Sequence, residues 1–234
     1  MIPEDPGDAS SAVAAVDEVT AAVILAGGRG TRFGGVDKGL VLLAGRPLIA
    51  HVAGRIRGQV ARLFINVNRP DAAYRRFGAI LCPDAPRARP ATGPLVGLVS
   101  AFAMIDAETG EPPYILSVPV DTPFLPSDLA MRLASAAKKT GAPAAFATSG
   151  GRDHPTIAAW DRRARRAVRR MLDEQPEISL RAIMVHLGAV PVAYADDPID
   201  PFYNINTPAD LDAATLAIHQ GNENADPRQP PDAV

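Results

Sequence analysis

Between residues 21 and 39 the chain reads AAVILAGGRGTRFGGVDKG, an apolar run that breaks into glycines at positions 27, 28, 30, 34, 35 and 39. Arg29, Arg32 and Lys38 punctuate those glycines. A buried strand that ends in a side-chain-poor loop lets backbone N–H groups approach an anion closely, and the basic side chains supply the opposite charge. This is the composition of a phosphate grip. A second feature is Asp121, where the apolar run YILSVPV gives way to Asp121-Thr122-Pro123. In open α/β sheets ligands gather at the carboxyl ends of strands. Read alone, Asp121 is either a turn aspartate capping the next segment or a hard carboxylate for Mg²⁺. That ion takes one or two carboxylates together with phosphate oxygens.

Two familiar phosphate loops are excluded. A Walker A loop needs Ser or Thr after its lysine, and Lys38 is followed by Gly39. The dinucleotide pattern GxGxxG fails because Phe33 stands where its third glycine belongs. Other residues carry less. Cys82 is the single cysteine, which rules out an internal disulfide and a cysteine-rich metal site. His51, His186 and His219 show no metal-ligand spacing. The arginine run 162–170 is broken by Ala164 and Val168 and followed by Met171 and Leu172, an apolar helical face that leaves the arginines toward solvent.

The elements that must position the loop and Asp121 alternate in type. The loop follows a strand at 21–25. A helix is expected over 47–57, with Leu48, Val52 and Ile56 at four-residue spacing, then a strand at 63–67. A short helix over 71–77, a strand at 79–82 and a helix over 94–104 follow, the last with Leu95, Leu98, Val99 and Phe102 on one face. The run 114–120 reads as a central strand covered on both faces. Ser127 is placed to cap a helix through 139. Strands are expected at 144–148, 156–160 and 190–194, and helices at 162–172 and 180–186. Thr207-Pro208 supplies an N-cap and first-turn pair for a last helix over 209–218. Alternating strands and helices point to a three-layer, Rossmann-like α/β fold, a mostly parallel sheet with helices on both faces.

The chain has 234 residues, 47% of them hydrophobic and 21% charged, enough for one α/β domain of ordinary size. Residues 1–19 read as a flexible extension, 20–220 as a single domain and 221–234, polar and Pro-rich, as a flexible tail. A formal net charge of -2 argues against a general nucleic-acid binder, and no apolar run approaches the length of a membrane span. The first residues lack the charge and apolar core of a signal peptide, so a cytoplasmic location is expected.

LAGGRGTRFGGVDKG resembles the signature loop of the nucleotidyltransferases, and its GGVDKG ending resembles one branch, the molybdenum cofactor guanylyltransferases. Phe33 departs from the methionine usual there, a change of packing rather than chemistry. The resemblance extends to PVDTPFLP around Asp121, INVNR around Asn66, Asp84, GPLVGL at 93–98, RDHPT at 152–156 and NINTP at 204–208. It implies a nucleotide-diphospho-sugar transferase-like fold and transfer of GMP from GTP to the terminal phosphate of Mo-molybdopterin, with Mg²⁺ as cofactor. It implies that Leu25, Ala26, Gly27, Asn66 and Asp84 contact the nucleotide, and that Arg32 and Lys38 serve its phosphates. Asp121 would hold the metal. His154, Asn204 and Asn206 would lie near the pterin. Transient contacts with cofactor-synthesis and molybdoenzyme-maturation proteins are expected, and contacts with nucleic acid or membrane are not. The bland readings are a loop histidine at 154 and turn residues at Asp84, Asn204 and Asn206. A cytidylyl- or sugar-phosphate nucleotidyltransferase is the alternative enzyme, although cytidylyl relatives usually carry LAAG. A non-catalytic nucleotide-binding protein is the alternative of another class.

Overall fold

Strand β1 (Val19–Leu25) runs inside a seven-stranded sheet, hydrogen-bonded on one side to β4 (Arg62–Val67) and on the other to β6 (Tyr114–Pro119). The structure, a computed structural model, describes residues 19–27, 33, 35–68, 72–85 and 93–223. The remaining strands of the sheet are β5 (Ile80–Pro83), β7 (Ala144–Ser149), β8 (Arg152–Asp161) and β9 (Val190–Tyr194), in the order β5-β4-β1-β6-β8-β7-β9. Only β8 is antiparallel to its neighbours, β6 and β7. The expected mostly parallel sheet is therefore present.

Successive side chains of a strand point to opposite faces, which makes β1 apolar throughout. Ala22 and Ile24 enter one core with α1 (Leu48–Arg57) and α4 (Leu129–Thr140). Ala21, Val23 and Leu25 enter the other, with α3 (Pro94–Thr109), α5 (Arg162–Glu174) and α6 (Leu180–Leu187). Helix α2 (Ala72–Arg75) adds Tyr74 to the first core. A short hairpin, β2 (Leu42–Leu43) with β3 (Arg46–Pro47), carries Leu43. Together with Leu48 it packs against Ile205 and against Ala214 of α7 (Pro208–Glu223). This third cluster brings the end of the chain back to the glycine-rich loop.

Four local expectations change. Ser127 does not cap α4: the cap position is Asp128, without a side-chain cap bond, and the Ala130 N–H instead donates to Gln59 Oε1 at 2.9 Å. A long-range partner has replaced a local one. Strand β8 begins at Arg152 rather than at 156, because Gly150 and Gly151, with φ of 52° and 72°, make a two-residue turn out of β7. RDHPT is thus strand, and a register irregularity lies where Pro155 cannot donate to the ladder. The arginine run is not wholly solvated either. Arg165 is 3% exposed; its Nη2 donates to Asp106 Oδ1 at 2.8 Å and to the Pro112 carbonyl at 3.0 Å, and its Nη1 to the Trp160 carbonyl at 3.0 Å. Helix α7 extends to Glu223, beyond the expected 218.

Candidate active site

Strand β1 leads to α1 and then to β4 on one side, whereas β6 joins on the other, so the connections diverge at its carboxyl end. Such a divergence opens a crevice. A cleft of about 320 Å³ lies there. Leu25 at the end of β1 and Gly27 just after it, Asn66 of β4 and Asn68 just after it, Asp84 after β5 and Asp121 after β6 line it, closed by Gly93, Pro94 and Gly97 of the α3 entrance. Lys38, Thr156 and Asn204 complete the polar part of the lining.

Lys38 and Asp121 are 83 residues apart in sequence and meet with Nζ 2.6 Å from Oδ2. The same ammonium donates to Asn206 Oδ1 at 2.7 Å. Lys38 sits in a 3-10 turn whose cap, Asp37, accepts from the Gly39 N–H at 3.0 Å and from the Tyr74 hydroxyl. A Cβ on Gly39 would lie 2.4 Å from that hydroxyl. Asp37 and Gly39 of GGVDKG therefore hold the turn against α2 and leave Lys38 to face the cleft. Asp121 is fixed by its own backbone, since its carbonyl accepts from the Ile205 N–H at 3.0 Å. Its Oδ1 is buried with no hydrogen-bond partner among the described residues. Asn206 is held from behind: Asp210 Oδ2 accepts from the Asn206 and Thr207 N–H groups at 2.9 and 2.8 Å, and the Asp210 N–H donates to Thr207 Oγ1. This is a capping box with Asp in the acidic place. Those N–H bonds, led by the one from Asn206, lower the Asp210 pKa.

The residues around Asn66 form a second hydrogen-bonded group. Asn66, 2% exposed, donates through Nδ2 to the Cys82 carbonyl at 3.0 Å and to Asp84 Oδ1 at 2.9 Å. Both amide hydrogens are thereby used. A Cβ on Gly97 would lie 2.0 Å from Asn66 Oδ1, so only glycine lets α3 approach this closely. Gly93, with φ 84°, gives α3 its entry angle. Burial pushes the Cys82 thiol up to about 11, which leaves it protonated and inert as a nucleophile.

The structure thus brings Leu25, Gly27, Lys38, Asn66, Asp84, Asp121 and Asn204 to one cleft, with Asn206 bonded to Lys38. Ala26 lies beneath it, 3% exposed, donating its N–H to the Asn66 carbonyl at 2.9 Å. Arg32 lies outside the described residues. His154 is set apart from the cleft lining: its Nε2 is 2.8 Å from Ser149 Oγ, and its ring packs on Phe202 with centroids 5.0 Å apart. Ser149 Oγ–H donates to Asp200 Oδ1 at 2.7 Å, so the histidine must donate from Nε2. Burial lowers the His154 pKa despite the nearby Asp200 charge. Sequence reasoning missed Asn68 and Thr156, polar residues with no motif around them beyond INVNR and RDHPT. Asn68 Oδ1 would lie 2.6 Å from a Cβ on Gly27, a proximity that spacing alone does not reveal.

Residues 22–190 match the family model of the MobA-like NTP transferase domain. A molybdenum cofactor guanylyltransferase of Acidiphilium cryptum is 43% identical over 193 residues, which span 82% of this chain and 92% of that protein. One from Rhodopseudomonas palustris is 38% identical over 200 residues, 85% of this chain and 94% of its own length. The solved structure of molybdopterin-guanine dinucleotide biosynthesis protein A from Archaeoglobus fulgidus superposes with a TM-score of 0.67 and 21% identity, covering 86% of this chain and 100% of that one. At that identity the likeness establishes the fold. A shared fold, family match and close relatives lead to one conclusion: the chain belongs to the MobA-like NTP transferase family, alongside the molybdenum cofactor guanylyltransferases.

Proposed function

We propose that this chain transfers GMP from GTP to the terminal phosphate of Mo-molybdopterin, forming the guanine dinucleotide and releasing pyrophosphate. The observation that carries the reading is the meeting of Lys38 and Asp121 at 2.6 Å in a cleft that Gly27, Gly93 and Gly97 also line. A pterin phosphate oxygen attacks the α-phosphorus in line as the bond to the departing pyrophosphate breaks. No covalent enzyme intermediate is required, so the protein contributes positioning and charge stabilisation. Lys38, with Arg32 from the loop, binds the triphosphate and the leaving pyrophosphate. Leu25 and Gly27 line the nucleotide, with Ala26 buried beneath them. Asp84, held by Asn66, offers its remaining acceptor capacity to donors on the base.

Asp121 is the residue that would hold Mg²⁺. Its place in the cleft lining and its hard carboxylate chemistry fit such an ion. The described residues contain no group of three or more His, Cys, Asp and Glu able to hold a metal, so phosphate oxygens and water must complete the shell. When bound, the ion would neutralise phosphate charge. Asn204, exposed in the lining, is assigned to the pterin side. His154 and Asn206 serve that side less directly, through Phe202 and Lys38. Product transfer would involve brief contacts with cofactor-synthesis and molybdoenzyme-maturation proteins in the cytoplasm.

The test is pyrophosphate release by the purified protein given Mo-molybdopterin with GTP, CTP or ATP, with and without Mg²⁺. Release with GTP that requires Mg²⁺ supports the reading. Preference for CTP would overturn the guanine assignment. Asp121→Ala should lower kcat by about 10²-fold or more, the scale of losing a charge-organising group in an active site; full activity would remove its metal role.

A further inference from the structure

A divalent cation that binds Asp121 through Oδ2 competes there with the Lys38 ammonium. Asp121 has two oxygens. Oδ1 is buried, and Oδ2 is the oxygen on which Lys38 Nζ sits at 2.6 Å. Lys38 is held there from a second direction by Asn206 Oδ1 at 2.7 Å, and Asn206 is itself pinned by the Asp210 cap of α7. The ammonium is thus seated between two acceptors on separate elements rather than draped over the surface. The side chains of Lys38 and Asp121 are only 16% and 17% exposed, so water screens this pair weakly. A magnesium ion binds carboxylate oxygen at about 2.1 Å and insists on near-octahedral geometry. It cannot share Oδ2 with an ammonium at hydrogen-bond distance, where like charges would stand a few ångströms apart.

We infer that Lys38 and the divalent cation occupy Asp121 alternately. Asn206 acts as the positioning residue that parks the lysine, and the triphosphate of the nucleotide releases the carboxylate by drawing the ammonium onto its own oxygens. This rests on the metal role given to Asp121 above and adds an order to it. The single carboxylate binds the cation poorly while Lys38 is seated. The nucleotide then does two things at once, removing the competing charge and contributing oxygen ligands. Metal and nucleotide consequently bind as a coupled pair, and the free protein does not hold the ion tightly before substrate arrives. Asp121 is never left buried without a cation beside it, which would be costly for an ionised carboxylate.

The test is Mn²⁺ binding to the full chain, read by the electron-paramagnetic signal of the free ion. It is carried out without nucleotide and with GTP but no pterin, on wild type, Lys38→Met and Lys38→Gln, with each affinity taken relative to a protein-free mixture of the same composition because GTP itself chelates Mn²⁺. The alternation requires wild type to bind Mn²⁺ at least about ten-fold tighter with GTP than without it. It also requires either lysine variant, without nucleotide, to bind Mn²⁺ about ten-fold tighter than wild type. The coupling between GTP and Mn²⁺ should shrink in both variants. Equal Mn²⁺ affinity of wild type with and without GTP overturns the alternation while leaving the metal role intact. Equal affinity of wild type and variants without nucleotide overturns it as well, because the ion must then reach Oδ1. Absence of Mn²⁺ binding in every mixture, GTP included, overturns the metal role itself. The wild-type comparison stands even where a lysine variant fails to fold.

Discussion

Gly97 and Asn66 show how a residue without any reactive group can fix the chemistry of its neighbours. Asn66 is clamped by the Cys82 carbonyl and Asp84, and Gly97 lies so close that a Cβ on it would stand 2.0 Å from Asn66 Oδ1. The asparagine cannot retreat without releasing Asp84. Gly97→Ala should therefore destabilise the fold by about 1–3 kcal/mol, the cost of overpacking a close contact. It should also weaken GTP binding by about ten-fold through the displaced Asp84, a loss equivalent to one charge-assisted hydrogen bond. Calorimetric titration with GTP, beside a thermal melt, separates the two effects. An unchanged GTP affinity would remove Asp84 from base recognition. His51 and His154 illustrate the opposite case, where position alters titration. Burial is the largest influence on both and lowers both pKa values below 6.5. The His51 N–H bond to the Leu43 carbonyl and the Asp200 charge near His154 oppose it only in part. The folded protein then binds fewer protons than the unfolded chain, so this contribution to stability is full above about pH 6.5 and declines as pH falls through it. The fall in Tm between about pH 8 and about pH 5.5 should be smaller in the double variant His51→Gln/His154→Gln than in wild type. An equal fall would contradict the burial argument.

At the scale of elements, the instructive differences are those where a distant partner displaced a local rule. Helix α4 takes its first-turn acceptor from Gln59, whose Nε2 also donates to the Pro126 carbonyl at 2.9 Å, tying α4 to the end of α1. A serine at 127 is a reasonable cap by composition, yet the cap depends on which acceptor the tertiary fold delivers. The arginine run is similar. Helical periodicity correctly placed Ala164, Val168, Met171 and Leu172 in the core, all of them buried. It also counted Arg165 among the solvated arginines, because no one-helix pattern reports an Asp106 on a neighbouring helix. That pair joins α5 to α3 while also satisfying the carbonyls of Trp160 and Pro112. Arg165→Met should cost about 3 kcal/mol, because it leaves Asp106 and two buried carbonyls without their donor. Adding Asp106→Asn should restore part of the loss. Denaturant melts of the two variants check this, and a loss under about 0.5 kcal/mol for Arg165→Met would mean that the pair is merely a surface contact.

At the scale of the whole molecule, the site exists because six parallel strands place their carboxyl ends, and β8 its start, along one edge. Among the described residues, both main cores and the third cluster are built from residues between 21 and 218. Removing residues 1–18 and 224–234 should accordingly leave Tm within about 2 °C of the full chain, a shift well below that of losing one core contact. It should leave pyrophosphate release unchanged. A loss of activity at unchanged Tm would place part of the substrate site in the terminal segments.

Local pattern was sufficient for much of this molecule. The apolar runs, their bounding glycines and prolines, and the alternation of periods two and 3.6 specify the strands, the helices and the mostly parallel sheet, because those signals are properties of adjacent residues. The loop motif and the strand-end aspartate likewise singled out Lys38 and Asp121, which the fold brings together. Their distance, the seating of Lys38 on Asn206 and the clamp of Asn66 on Asp84 are set by the fold. So are the turn of RDHPT into a strand and the burial of Arg165. Each depends on contacts between residues far apart in the chain, and only the close packing of several elements determines which polar partners meet.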